Sequence, residues 1–176
     1  AYNLLKYFRR IAPVYFVPGN CDPADLLHKS WDEEGIYNVH SRTLSLNSNW
    51  RIIGVGGSTI TPFKTNIEFD EEELMEILKN SITMAEGNLI LLSHSPPYNS
   101  RVDRTFTGLH VGSHSVKMFI EKYKPKLVVS GHIHEARGYD RIGETLVLNP
   151  GPLRKGFYAT ITIRPDSSID FDLLRL

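Results

Sequence analysis

The chain has 176 residues, 41% hydrophobic and 23% charged, with 20 basic and 20 acidic side chains in balance. That composition is ordinary for a globular domain with a substantial core, and the cancelled charge excludes a global field drawing the chain to nucleic acid or anionic lipid. No apolar stretch approaches the roughly 20 residues that span a bilayer, and the single cysteine, Cys21, excludes an internal disulfide. One thiol suits a reducing compartment, and the first residues lack the pattern of a secretory signal. One cytoplasmic domain over residues 1–176 is therefore expected, without a membrane partner.

Tyr2–Arg10 reads as a short helix with Leu4, Leu5 and Phe8 on one side. Ala12-Pro13 ends it. Val14–Val17 is a continuous apolar run stopped by Pro18-Gly19-Asn20-Cys21-Asp22, the pattern of a buried strand of an α/β sheet. Asp22 before Pro23 has the form of an N-cap followed by proline at the first helical position, so Asp22 is assigned to capping a helix over Ala24–Trp31. Val39–Leu46 and Trp50–Val55 flank Asn47-Ser48-Asn49 as a hairpin. Gly54, Gly56 and Gly57 then permit close backbone approach or positive φ.

The clearest helix is Asp70 to Ala85, with Leu74, Ile77, Leu78, Ile82 and Ala85 on one stripe and capping-box spacing between Asp70 and Glu73. A second buried strand, Leu89–Leu92, runs into Ser93-His94-Ser95-Pro96-Pro97. The polar loop from Ser93 to Gly112 is long for a compact domain, and such loops usually carry function. Ser113 caps a helix whose Val116, Phe119, Ile120 and Tyr123 face the core. A third strand, Leu127–Val129, runs into Ser130-Gly131-His132-Ile133-His134. The remainder reads as β: a hairpin around Ile142-Gly143-Glu144, then Phe157–Arg164 and Ile169–Leu173. Asn149-Pro150-Gly151-Pro152 reads as a tight turn, and Arg101, Arg104, Arg137 and Arg141 leave a local basic patch as an open reading for nucleic acid.

Ligands of open α/β sheets gather beyond the carboxyl ends of the strands. Asn20, His94, His132 and His134 all follow apolar strands, so one amide and three imidazoles are expected at one rim. Such donors suit borderline transition metals: Zn, Mn, Fe, Co or Ni. His132 and His134, two apart in an extended segment, project to the same side and serve one ion or two. Gly131 is read as removing a Cβ that would crowd the ions. His110, late in the long loop, reads either as a substrate contact or support to the metals, or as a solvated loop histidine; His28, His40 and His114 read as structural. Cys21 has no nearby base in sequence and reads as a small buried hydrophobe.

Gly-Asn-Cys-Asp, Ser-His-Ser-Pro-Pro and Gly-His-Ile-His, in this order and spacing, resemble the calcineurin-like metallophosphoesterase superfamily. Ser-Gly-His-Ile-His-Glu, the His110-Val-Gly-Ser helix start and the Asn149-Pro-Gly turn look like its small prokaryotic phosphohydrolases. The resemblance covers nearly the whole chain. It implies a four-layer αββα sandwich with two stacked, mixed β-sheets, and a phosphate ester as substrate. It also implies two divalent transition metal ions bridged by an aspartate and a solvent oxygen, with Asn20, His94 and His132 on one and His134 on the other.

The family's Asp-x-His and Gly-Asp-x-x-Asp blocks do not occur, so the resemblance implies an N-terminal βα portion lying outside this chain and impaired two-metal binding by the chain alone. Cys21 stands where many relatives have a histidine held to protonate the leaving group, which passes that role to His110 or implies good leaving groups. The alternatives are a non-catalytic scaffold of the same fold and a mononuclear zinc hydrolase built on His94, His132 and His134.

Overall fold

The computed structural model describes residues 2–82 and 87–176. The elements run α1 (Tyr2–Arg9), β1 (Val14–Phe16), β2 (Ile36–Asn38), β3 (Thr43–Ser45), β4 (Trp50–Val55), β5 (Ser58–Thr59), β6 (Glu68–Phe69) and α2 (Glu71–Ser81), then β7 (Asn88–Ser93), α3 (His114–Tyr123) and β8 (Leu127–Ser130), and finally β9 (Gly138–Ile142), β10 (Thr145–Asn149), β11 (Phe157–Ile163) and β12 (Ile169–Arg175). A six-stranded sheet in the order β3-β4-β7-β8-β10-β9 is the centre of the molecule. Its four inner strands are parallel, and β3 and β9 close the edges antiparallel.

Alternation along these strands divides the apolar side chains between two cores. Leu89 and Leu91, Val128 and Val147 point to one face and meet Leu74 and Leu78 of α2 and Val116, Phe119 and Ile120 of α3. Ile90, Leu127, Leu146 and Leu148 point to the other, where Ile161, Ile163, Ile169 and Phe171 of β11–β12 and Tyr15 and Val17 cover them. Both faces are buried, which is why the inner strands read as unbroken apolar runs. The second layer is two ribbons, a parallel β1–β2 pair and an antiparallel β11–β12 pair, with α1 outside the first through Tyr2 and Leu5. This is the mixed four-layer arrangement expected, with its second sheet in two pieces among the described residues.

Helix α2 begins as its sequence predicts. Asp70 accepts from the Glu73 amide at 2.8 Å and Glu73 accepts from the Asp70 amide at 2.9 Å, a reciprocal cap worth about 1 kcal/mol. It ends at Ser81, Ile82 being extended, and the predicted continuation to Ala85 lies outside the described residues. Ser113 caps α3 through the Val116 amide, and Glu71 accepts from the hydroxyl of Ser113 and the amides of His114 and Ser115. The negative first turn of α2 thereby satisfies the positive end of α3.

Two local predictions are corrected. Ala24–Trp31 is not an α-helix: only a 3₁₀ turn over Ala24–His28 forms, and its N-cap, Pro23, offers no side-chain acceptor. The predicted hairpin strand Val39–Leu46 is shorter, with β3 covering only Thr43–Ser45, because a turn from Val39 to Arg42 with Ser41 at positive φ separates it from β2. No helix among the described residues is long and apolar enough to cross a membrane.

His40 occupies the structural role expected of it. Its Nδ1 accepts the Gly56 amide at 3.0 Å and its ring stacks on Phe69. Burial, with a smaller contribution from the charge of His28, lowers its pKa to about 4. Above about pH 6.5 native and unfolded chains both hold this imidazole neutral. Between about 6.5 and 4 only the unfolded chain takes up the proton, so stability falls as pH falls through that window. The expected loss from this residue is about 3 kcal/mol, read as the part of the pH dependence of urea midpoints that His40→Gln removes.

Candidate metal centre

The loop after β1 carries Asn20. Asp22 closes it by accepting the Gly19 amide at 2.7 Å while its own amide donates to the Gly19 carbonyl. Asp22 is therefore a turn clamp and not the helix cap predicted for it. The same turn puts Cys21 at an exposed tip, which corrects its reading as a buried hydrophobe.

Asn20 is itself buried, and its Nδ2 donates to Thr65 Oγ1 at 2.9 Å. The Thr65 hydroxyl donates in turn to Glu68 Oε1 at 2.6 Å. Thr61 and Thr65 hydroxyls, with the Thr65 amide, hold the Glu68 carboxyl down to about 2. This relay fixes which end of the Asn20 amide faces inward: Oδ1 stands 3.0 Å from His94 Nε2. Thr65 and Glu68 escaped the sequence reading because they lie about 45 residues from Asn20 in an unremarkable loop.

His94 follows β7, and its amide donates to Val55 at 2.9 Å, fixing it at the strand end. A Cβ on Gly19 would come within 2.9 Å of His94 Cε1, whereas one on Gly131 would meet no atom within 4 Å. The glycine that makes room for the His94 imidazole is Gly19.

His132 is the strained member. It lies at φ 63°, and the Ile133 amide reaches back to the Gly131 carbonyl at 2.7 Å, closing a three-residue turn of the rare positive-φ kind. Such a conformation costs on the order of 1–3 kcal/mol and persists where neighbours overdetermine it. The neighbour here is Asn149, fully buried, whose Nδ2 donates to Ile133 O at 2.8 Å and approaches Gly131 O at 3.4 Å. Asn149 reads in sequence as one letter of a tight turn; its position at the end of an apolar strand was the available signal.

The structure brings Asn20, His94 and His132 together, the two imidazole rings 5.0 Å apart edge to face. His134 stands at the exposed side, Arg154 Nη2 donating to its Nδ1 at 3.2 Å. Burial lowers the pKa of His94 to about 3, with the charges of His132 and His134 adding to it. Burial and His134 lower that of His132, and burial and Arg154 that of His134. Three imidazoles kept neutral are three imidazoles with lone pairs for a cation.

Among the described residues no three His, Cys, Asp or Glu side chains converge as a metal-holding set. Arg154 stands beside His134, and the Asn20 amide stands beside His94. Adjacent donors on one transition ion, at bond lengths of about 2.1 Å, lie about 3 Å apart. The separation of Asn20 Oδ1 from His94 Nε2 fits that, with His132 alongside.

His110 lies outside this cluster, in the long loop, its Nδ1 2.5 Å from a carboxylate oxygen of buried Asp103. Of the arginines flagged as a basic patch, Arg137 is spent on packing over Phe157 and on the Leu174 carbonyl.

Residues 4–174 match the model of the metallophosphoesterases of the calcineurin superfamily, and the chain belongs to that family. An uncharacterized protein of Methanocaldococcus jannaschii, MJ1162, is 38% identical over 152 residues, 84% of this chain and 67% of that protein. One solved structure superposes with a TM-score of 0.78 at 25% identity over 97% of this chain and 71% of its own. The crystal structure of TT1561 from Thermus thermophilus shares the fold, with a TM-score of 0.64 at 22% identity over 97% of this chain and 79% of that one.

The relay and the clamp are testable through metal affinity. Glu68→Gln and Asn149→Ala are each expected to weaken zinc or manganese binding about 10–100-fold, the usual effect of removing a group that orients a ligand. Titration calorimetry beside circular dichroism checks this, since unchanged affinity in a folded variant removes that residue from the site.

Proposed function

We propose that this chain carries part of the dinuclear metal site of a phosphoesterase that hydrolyses phosphomonoesters or phosphodiesters. The observation that carries the reading is the facing pair of Asn20 Oδ1 and His94 Nε2 with His132 beside them, on loops in the family's order. Asn20, His94 and His132 would hold one divalent ion, and His134 would serve a second; Mn, Fe, Co, Ni and Zn suit these donors. Such ions supply Lewis-acid charge to phosphoryl oxygens and lower the pKa of a bound water toward about 7.

The chain's own residues supply the remainder. Arg154, beside His134, adds a guanidinium suited to phosphate oxygens. Cys21 is exposed beside Asn20, and His110, in the loop that follows His94, is the candidate for leaving-group protonation. No carboxylate among the described residues joins the Asn20–His94–His132 cluster. These residues alone are therefore expected to hold one ion per chain and to turn over bis(p-nitrophenyl) phosphate feebly.

Metal analysis after loading with manganese or zinc tests this, with His94→Ala expected to abolish the bound equivalent. Two ions with vigorous turnover would contradict the ligand assignment. No ion at all would favour the scaffold reading.

A further inference from the structure

The loop that follows His94 contains an arrangement that metal binding does not use. Asp103 is completely buried, and its two oxygens collect four nitrogen donors, with the Ser100 hydroxyl a longer fifth at 3.5 Å. Oδ1 takes the Ser100 amide at 3.0 Å and His110 Nδ1 at 2.5 Å, while Oδ2 takes the Asn99 and Gly112 amides, each at 3.0 Å. One carboxylate therefore ties the start of the loop to its end. A buried carboxylate is expensive unless its lone pairs are met, and here they are met in full. His110 itself is half-buried with its ring edge on Tyr98, and no hydrogen bond to its Nε2 occurs among the described residues. A ring held at one nitrogen and left open at the other is how a protein presents a proton-transfer group.

The loop is fastened to the candidate metal centre on both sides. Its base is closed by the Ser113 amide on Pro96 O at 2.8 Å, two residues beyond His94. Asn149 Nδ2, which clamps the His132 turn, also reaches Val102 O at 3.5 Å, one residue from Asp103. The Phe106 amide meets Glu135 Oε1 at 3.3 Å, one residue from His134.

We propose that Asp103 and His110 form a carboxylate–imidazole dyad in which Asp103 is the positioning residue and His110 delivers a proton from Nε2 to the leaving oxygen of the phosphate ester. The inference rests on the phosphoesterase reading. Water attacks phosphorus and a new P–O bond forms; the P–O bond to the leaving group breaks and its electron pair stays on the leaving oxygen. That oxygen takes the Nε2 proton from the imidazolium, and the proton released by the attacking water restores it. Asp103 keeps Nδ1 protonated throughout, so the proton that moves is the one on Nε2.

Two diesters with the same retained group, one losing p-nitrophenolate and one losing ethoxide, separate the roles, because only ethoxide needs protonation. In the metal-loaded protein, His110→Ala is expected to lower kcat on the ethyl ester about 100-fold, and at least about tenfold more than on the p-nitrophenyl ester. Asp103→Asn should give the same bias with little change in KM. Independently of turnover, ¹⁵N correlation spectra of the metal-free chain should show His110 protonated at Nδ1, with Asp103→Asn moving that proton to Nε2. Equal losses on both esters in an otherwise active protein, or a wild-type His110 bare at Nδ1, would overturn the dyad. Failure of the underlying reading is distinct: the metal-loaded wild-type protein would then lack even the feeble p-nitrophenyl ester hydrolysis expected of it, while the ¹⁵N spectra would still report the state of the dyad. Should Asp103→Asn not fold, His110→Ala and the wild-type spectrum carry the test.

Discussion

Hydrogen bonds along the carboxyl edge of the central sheet hold the site loops in register, and every other feature of the site depends on them. The Gly57 amide meets Pro18 O at 3.0 Å, the His94 amide meets Val55 O at 2.9 Å, and the Gly131 amide meets His94 O at 3.2 Å. These bonds join turns that follow β1, β4, β7 and β8, elements from both stacked layers. The layers are held against each other by the core that Ile90, Leu127, Leu146 and Leu148 form with β11 and β12. Burial of that surface drives the assembly; the edge hydrogen bonds set its register.

Within that frame the donors are oriented by groups that lie outside the cluster itself. Thr65 and Glu68 decide which end of the Asn20 amide faces His94, and Gly19 leaves the space that His94 occupies. Asn149 holds His132 in a conformation that a free peptide would abandon. Strain kept at one residue by a buried amide is a mark of a preorganised site. Oriented polar groups that are already in place need no rearrangement when a cation or a phosphate arrives.

The family assignment and the geometry bear on different questions. Membership in the calcineurin superfamily places the chain among metallophosphoesterases, while side-chain placement distinguishes the residues of the site from one another. Asn20, His94 and His132 form a compact group, His134 pairs with Arg154 at its open side, and His110 belongs to a neighbouring loop organised by Asp103. The long loop between β7 and α3 thus has an internal skeleton that its largely polar sequence does not display.

The inner strands, the capped helices α2 and α3, and the run of strand-end motifs were legible in the sequence, because they rest on local periodicity and caps that neighbouring residues specify. Asp22 and the stretch over Ala24–Trp31 were misread for the same reason inverted: an Asp-Pro pair satisfies the local rule for a helix start, but the Gly19 amide claimed the carboxylate first. Tertiary structure alone decided that Thr65 and Glu68 hold the Asn20 amide, that Asp103 holds His110 and Asn149 the His132 turn, that Gly19 makes room for His94, and that Arg154 stands beside His134. Those facts are hydrogen bonds and close approaches between segments remote in the chain. A sequence encodes them only through the folded sheet that brings the segments within 3 Å of each other.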